Sequence, residues 1–302
     1  MAQSLSTATT NELANRAGMM RFCQHLEFFA NHPPLDVKPL VSGQSNDNYY
    51  VRTARGEYVL RRYPVQTLGV CRQQELRCQH AAAATGIAPA PLCLNNHQQL
   101  LISEYIAQGS PLTLTPERLN DLAVVLAKLH RLKVQTPVLQ LGQYLRQLMH
   151  NSQLPALEPA ATLFQKLQDS ARHFARLPAD LVLCHMDLHP GNLLWADNRI
   201  WLLDFEYAQL ADSSFDLAAL VLHFQLSAEA EQGLLTAYFD QRQFSDKQSA
   251  LAYQRSLASR LLLAKVIYSG FCWLWYQAAP AYQQAAEYWQ QKLTSLLQLE
   301  PA

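Results

Sequence analysis

The chain has 302 residues, 49% of them hydrophobic, which is enough to build a sizeable core and two lobes. Lys+Arg and Asp+Glu both number 24, so no basic excess is available to bind nucleic acid by counterion release. Six scattered cysteines without a C-x-x-C pair read as reduced thiols in a cytoplasmic protein, not as a disulfide framework.

The N-terminus, M-A-Q-S-L-S-T-A-T-T-N-E, lacks the basic start and apolar run of a signal peptide. Residues 1–31 read as an extension that becomes amphipathic, with Phe22, Leu26 and Phe29 at helical spacing. Residues 32–108 form the first lobe. The stretch P-L-V-S-G-Q-S-N-D-N-Y-Y-V-R-T-A-R-G-E-Y-V-L-R-R-Y predicts strand, polar turn, strand, Arg-Gly turn and strand. A helix is expected from Arg72 to about Thr85, stopped by Gly86. Two strands follow, near Pro91–Leu94 and Leu100–Glu104.

Residues 109–302 are helix-forming, beginning with Glu117–His130 and continuing through Leu141–Leu177 and nearly everything after Phe215. L-V-L-C-H and R-I-W-L-L-D interrupt them as strands. The apolar run L-L-L-A-K-V-I-Y-S-G-F-C-W-L-W-Y is broken by Lys265 and falls short of the ~20 residues that span a bilayer, so a buried helix is expected and no membrane insertion. A β-rich small lobe joined to an α-rich large lobe is an α+β architecture.

Residues 185–206, H-M-D-L-H-P-G-N-L-L-W-A-D-N-R-I-W-L-L-D-F-E, carry the chemistry. H-x-D-x-x-x-x-N followed by a strand ending in Asp-Phe is the spacing of a phosphoryl-transfer site. Asp187 is the expected base toward an attacking hydroxyl, and Asn192 and Asp204 the expected oxygen ligands of Mg²⁺. Two strands joined at Ala196-Asp197-Asn198 bring Asn192 and Asp204 to the same end of a hairpin. His185 and His189 stand four apart and would suit Zn²⁺ on a helix, but Pro190-Gly191 argues against a continuous helix there.

ATP is expected in the small lobe. In S-G-Q-S-N-D-N-Y-Y, the turn with Ser42, Gly43, Ser45 and Asn46 offers backbone N–H groups and small polar side chains to phosphate oxygens, or is only a hairpin turn. Arg61 lies where a kinase carries its phosphate-gripping lysine, with Glu75 as ion-pair partner; neighbouring Arg62 lies on the opposite face by period-2 alternation, so only one of the two enters the cleft. The backbone from Glu104 to Ile106 is the expected adenine-reading hinge. Asp216 either braces the catalytic loop or caps the helix it begins.

C-H-M-D-L-H-P-G-N-L-L, L-L-D-F-E-Y-A and S-F-D-L-A together resemble the aminoglycoside phosphotransferase and choline kinase superfamily, whose fold is protein-kinase-like. The likeness runs from about Pro39 to Trp289 and is closest to bacterial thiamine kinases and to choline/ethanolamine kinases. It implies ATP and Mg²⁺ as cofactors, the roles given above for Asp187, Asn192, Asp204, Arg61 and Glu75, and His185 with Asp216 as support. Arg61 in place of lysine and Glu206 in place of the glycine of D-F-G depart from protein kinases, and the interval from Asp204 to Asp216 is too short for an activation segment.

The acceptor is expected among the aromatic residues of the C-terminal helices, with Glu206, Trp273, Trp275 and Tyr276 as candidates. Aromatic faces attract desolvated cations, although Trp and Tyr at helical spacing also fill cores. A small cationic alcohol follows, with thiamine slightly ahead of choline or ethanolamine. An aminoglycoside phosphotransferase and a nucleotide-binding pseudokinase are the further alternatives.

Overall fold

The computed structural model describes residues 16–40, 46–65, 67–154 and 159–299. Helix α1, over residues 16–24, and a single 3₁₀ turn at Glu27–Phe29 lie on one face of a five-stranded antiparallel sheet. Its strands are β1 Asp36–Pro39, β2 Asp47–Arg52, β3 Glu57–Arg62, β4 Pro91–Asn95 and β5 Leu100–Glu104, in the spatial order β1-β2-β3-β5-β4. Alternation sorts the side chains. Val37, Val51, Leu60, Leu100 and Ile102 pack with Met19, Cys23, Leu26 and Phe29 in a small core, while Val59, Arg61, Leu101 and Ser103 face the cleft between the lobes. The N-terminal segment thus completes the small lobe's outer face.

Helix α2, Arg72–Ala84, is the helix expected between the strands. Its inner face belongs elsewhere: Cys78 and Ala82, with Ile87 and Ala88 beyond it, lie in the core of the large lobe. Gln74 Nε2 donates to the Ala208 carbonyl at 2.8 Å, and the Leu202 amide donates to the Ile87 carbonyl at 2.8 Å.

After β6 at Ser110–Pro111 the chain is mainly helical, with α3 Pro116–Arg131, α4 Leu141–Ser152, α5 Ala160–Phe174, α6 Ser214–His223, α7 Ala228–Gln241, α8 Lys247–Gln277 and α9 Gln283–Leu297. Side-chain caps start three of them: Thr115 accepts from the Arg118 amide, Ser227 from Ala230 and Asp246 from Ser249. The helical run expected over Leu141–Leu177 divides into two, with Gln153 ending α4 in the left-handed region at φ 52°. By length and composition α8 could cross a membrane, but 72% of its apolar window is buried inside the protein, which makes it the central core helix.

Two small sheets complete the large lobe. β7 Leu181–Cys184 pairs antiparallel with β10 Gln209–Asp212, and β8 Leu193–Ala196 pairs with β9 Arg199–Leu202 and with β6. Asp197 and Asn198, at φ 52° and 55°, make a two-residue hairpin turn of the mirror-image kind that suits twisted strands. The molecule is an α+β two-lobe, protein-kinase-like fold.

Candidate active site

The loop that carries Asp187 leaves β7 at Cys184 and is held from beneath by Asp216. One oxygen of this fully buried carboxylate accepts from the Met186 amide at 2.8 Å; the other accepts from the His185 amide at 2.8 Å and meets His130 Nε2 at 3.0 Å. Those bonds hold Met186 at φ 70°, an uncommon conformation for an unbranched apolar residue, and so fix the direction in which Asp187 leaves the loop. Asp216 makes no cap to its own helix, where Ser213 stands at the N-cap. His130, Cys184 and Asp216 lie within 4.8 Å of one another, but the oxygens of Asp216 are already committed, so the cluster is a brace.

His185 is fully buried. Its Nε2 donates to the Leu203 carbonyl at 2.9 Å and its ring lies 4.8 Å from that of Phe205, tying the loop to the strand that delivers Asp204. His189 caps a 3₁₀ turn at Pro190–Asn192 by accepting the Gly191 amide on Nδ1 at 3.0 Å. A Cβ at Gly191 would stand 2.7 Å from the His189 ring, so only glycine fits this close approach. No helix joins His185 to His189, which removes the zinc geometry.

Asn192 Nδ2 donates to both the carbonyl and the Oδ2 of Asp187, each at 2.9 Å. Both amide hydrogens are thereby used, and Oδ1 is left as the amide's acceptor atom. The Leu203 amide donates to the Asn192 carbonyl at 2.9 Å, closing the hairpin base where Asn192 and Asp204 meet. Asp204 sits at φ 60°, a conformation aspartate tolerates.

From the small lobe, Arg61 reaches across the cleft. Its guanidinium pairs with Glu75 on α2 through one terminal nitrogen and with Asp204 through the other. Arg62 lies on the far face, stacked on Phe22 at 5.2 Å, so Arg61 is the arginine of the cleft. A second arginine, not singled out from sequence, joins the pair: Arg72 Nη1 donates to Glu75 Oε2 at 2.8 Å and to Glu206 Oε2 at 3.0 Å, while its guanidinium covers the Tyr63 ring at 4.1 Å. Asn46 Nδ2 also donates to Glu206 at 3.2 Å. Burial and the nearby Asp204 carboxylate push the Glu206 pKa up, against the pull of Arg61 and Arg72. Glu206 lines the cleft, but its carboxylate is engaged in bracing the two lobes. Ser42, Gly43 and Ser45 lie outside the described residues.

One cavity of about 660 Å³ runs the length of the cleft. One end is walled by Val59, Leu101 and the segment from Glu104 to Ile106; Asp187, Asn192 and Asp204 stand at its middle. The far end is aromatic, with Tyr144, Tyr207, Tyr268, Phe271, Trp275 and Tyr276. Trp275 Nε1 donates to the Tyr207 hydroxyl at 3.2 Å, and the Tyr144 and Phe271 rings meet edge-on at 5.0 Å. Burial holds the Tyr144 and Tyr207 phenols far above their ordinary pKa, so they present neutral rings. Trp273, expected as an acceptor contact, is a core residue at 1% exposure. The reason is helical phase: residues 268, 271, 272, 275 and 276 share one face of α8, and 273 lies off it.

Two histidines adjoin Asp187. His189 Nε2 lies 3.6 Å from Asp187 Oδ2. Burial works against the charge of both groups, but their mutual attraction outweighs it: the Asp187 pKa falls below its ordinary value and that of His189 rises. His223, at the end of α6, lies 5.6 Å from the His189 ring and meets the Tyr268 hydroxyl at 3.2 Å. Burial, helped by His189, lowers its pKa to about 4. The sequence alone marks none of His223, Tyr144 and Tyr207 for this end of the cavity; Tyr268 and Phe271 belong to the aromatic group of the C-terminal helices expected there, and their i, i+3 spacing with residues 272, 275 and 276 on α8 carries that signal.

The donor set is all oxygen: Asn192 Oδ1 and the Asp204 carboxylate, beside the arginine that would take phosphate. This fits a hard cation such as Mg²⁺, not a nitrogen- or sulfur-seeking metal. The arrangement can hold a polyphosphate between the lobes and remove a proton from a hydroxyl placed beside Asp187.

The profile of the phosphotransferase enzyme family matches residues 36–253. The chain is 25% identical over 211 residues to a LicA homolog of Mycoplasma capricolum subsp. capricolum, covering 67% of this chain and 78% of that one. Its fold is similar to that of the choline kinase LicA from Streptococcus pneumoniae, with a TM-score of 0.76 at 19% identity over 91% of this chain and 97% of that one. It is also similar to a choline/ethanolamine kinase family protein from Mesorhizobium loti, with a TM-score of 0.73 at 18% identity over 93% and 94% of the two chains.

Proposed function

We propose that this chain, which belongs to the phosphotransferase enzyme family, transfers the γ-phosphate of ATP to the hydroxyl of choline or a closely similar small cationic alcohol. The observation that carries the acceptor class is the far end of the cavity. The residues that α4, α6 and α8 contribute there are Tyr144, His223, Tyr268, Phe271, Cys272, Trp275 and Tyr276, none of them a carboxylate. Neutral aromatic faces in a desolvated pocket attract a quaternary ammonium group. A polycationic aminoglycoside would call for several acidic groups instead. The solved relatives reported above include a choline kinase and a choline/ethanolamine kinase family protein. Choline therefore moves ahead of thiamine, which the sequence alone places first.

In this reading Asp187, kept ionised by His189, accepts the proton of the acceptor hydroxyl as its oxygen attacks the γ-phosphorus. Arg61 binds non-bridging phosphate oxygens, and the segment from Glu104 to Ile106 receives the adenine. Asn192 and Asp204 are the residues that would hold Mg²⁺, which neutralises charge on the transferring phosphoryl group. The six cysteines are free thiols; with ATP as donor, they fit the cytoplasm.

The test is Mg²⁺-dependent ADP release with choline, ethanolamine, thiamine and kanamycin offered separately. Choline is expected to give the highest kcat/KM. Turnover of thiamine without choline would overturn the assignment.

A further inference from the structure

His223 is an imidazole at the acceptor end that the reaction scheme leaves unused. His223 lies at the last turn of α6, where the negative end of the helix dipole would ordinarily favour a charged imidazole. Instead the ring is boxed in. His189 faces it from the catalytic loop at 5.6 Å, Trp289 of α9 packs edge-on at 5.0 Å, and Tyr268 of α8 packs at 5.7 Å with its hydroxyl 3.2 Å from Nε2. Among the described residues, the charged or titratable groups acting on it are Asp187 and His189 on the loop and Tyr268 on α8, and α9 brings the Trp289 indole. The side chain lines the same cavity as the aromatic rings.

We propose that His223 sets the charge selectivity of the acceptor site: an uncharged imidazole in this wall lets a positive head group dock, and a positive charge at the same place expels it. The inference rests on the cationic acceptor class argued above. Two features make the position decisive. Within a desolvated cavity, a unit charge on the wall acts on a bound cation with little screening. His223 also adjoins the aromatic wall through the Tyr268 hydroxyl, so a charge change there reaches the acceptor directly; it reaches Asp187 and His189 too, which an uncharged acceptor of the same shape controls for.

The coupling is reciprocal: if protonation of His223 weakens cation binding, a bound cation must make His223 harder to protonate. The pKa of His223, about 4, already leaves it neutral at physiological pH. The cation-admitting state is therefore the resting state of the site.

The experiment compares choline with 3,3-dimethylbutan-1-ol, which has the same shape with an uncharged quaternary carbon, in the wild type and in His223→Lys, His223→Gln and His223→Glu. Taking the ratio of acceptor KM values cancels any common effect of the substitution on Asp187. His223→Lys should shift the ratio against choline, and His223→Glu in its favour, each on the order of tenfold. His223→Gln should stay near the wild type, and KM for ATP should hardly move. Ratios unchanged within about twofold in both charged variants would overturn the role of His223 while leaving the acceptor class intact. A wild type that turns over neither compound would refute the acceptor class itself. Should the charged variants not fold, imidazole NMR of the wild type decides: added choline must lower the His223 pKa, and an unmoved pKa would overturn the inference.

Discussion

Single side chains divide the work sharply, and the divisions are measurable. Asp187→Asn keeps the hydrogen-bond geometry toward Asn192 but removes the basic oxygen, so kcat should fall by about 10²–10⁴-fold with KM for ATP little changed; full turnover in the variant would exclude Asp187 as the base. Arg61→Lys retains a charge but loses the fork that reaches Glu75 and Asp204 together, so KM for ATP should rise, whereas Arg62→Ala should be close to neutral in the same assay. The histidines give a pH signature. His223 titrates near 4 in the fold and near 6.5 in an unfolded chain, so the unfolded state takes up the proton first. Its contribution to stability is thus present above about pH 6.5 and lost as pH falls toward 4. His189, with its raised pKa, runs the other way: its contribution is full below about pH 6.5 and declines as pH rises through the folded value. Thermal melts between pH 7 and pH 4.5 should show a shallower acid-side loss in His223→Gln than in the wild type; identical slopes would refute the assignment.

At the scale of elements, α8 carries both core residues and the aromatic wall of the cavity, and neighbouring tryptophans on it should respond differently. Trp273→Ala empties a fully buried site and should cost about 3–5 kcal/mol of stability. Trp275→Ala removes a cavity-facing ring and should act first on acceptor KM. Denaturant melts set beside acceptor saturation curves separate the two. At Gly270, α8 meets α5 closely: a Cβ there would lie 2.4 Å from a methyl of Leu167. Gly270→Ala should therefore destabilise by about 1–3 kcal/mol despite better helix propensity, and Leu167→Ala should partly relieve it in the double variant. These elements also show what the sequence reveals. The hairpin carrying Asn192 and Asp204 is legible because its turn residues, its alternation and its polar ends all lie within fifteen residues of one another. The sheet partition of Arg61 from Arg62 is legible for the same reason, since period 2 is a local property. Arg72 escapes because Glu75, its i, i+3 neighbour on α2, looks like an ordinary surface pair, and Glu206 reaches it only through the tertiary approach of α2 to the D-F-E segment. Trp273 misleads because composition says aromatic and apolar, while the azimuth on α8, which decides core against cavity, depends on what the other helices cover.

The whole molecule is two lobes by outline but not by core. α2 lies between β3 and β4 in sequence, yet its Cys78 and Ala82, together with Ile87 and Ala88, are buried in the large-lobe core. Polar groups cross the same boundary: Gln74 to the Ala208 carbonyl, Leu202 to the Ile87 carbonyl, Arg61 to Asp204 and Arg72 to Glu206. Separating the lobes would expose that apolar face and leave buried polar groups without partners, at about 1–3 kcal/mol for each such group. Unfolding should therefore couple the lobes. All five tryptophans, Trp195, Trp201, Trp273, Trp275 and Trp289, lie in the large lobe, so indole fluorescence reports it alone. Hydrogen exchange at the β2 and β3 amides reports the small-lobe sheet. In urea the two probes should give coincident transitions, and a saturating non-hydrolysable ATP analogue should move both together, because a ligand held between the lobes stabilises only the state in which they are joined. A small-lobe transition well below the fluorescence transition would mean that α2 does not transmit the large lobe's stability to the sheet. The cleft would then depend on bound nucleotide, not on the shared core, for its alignment of Arg61 with Asp204.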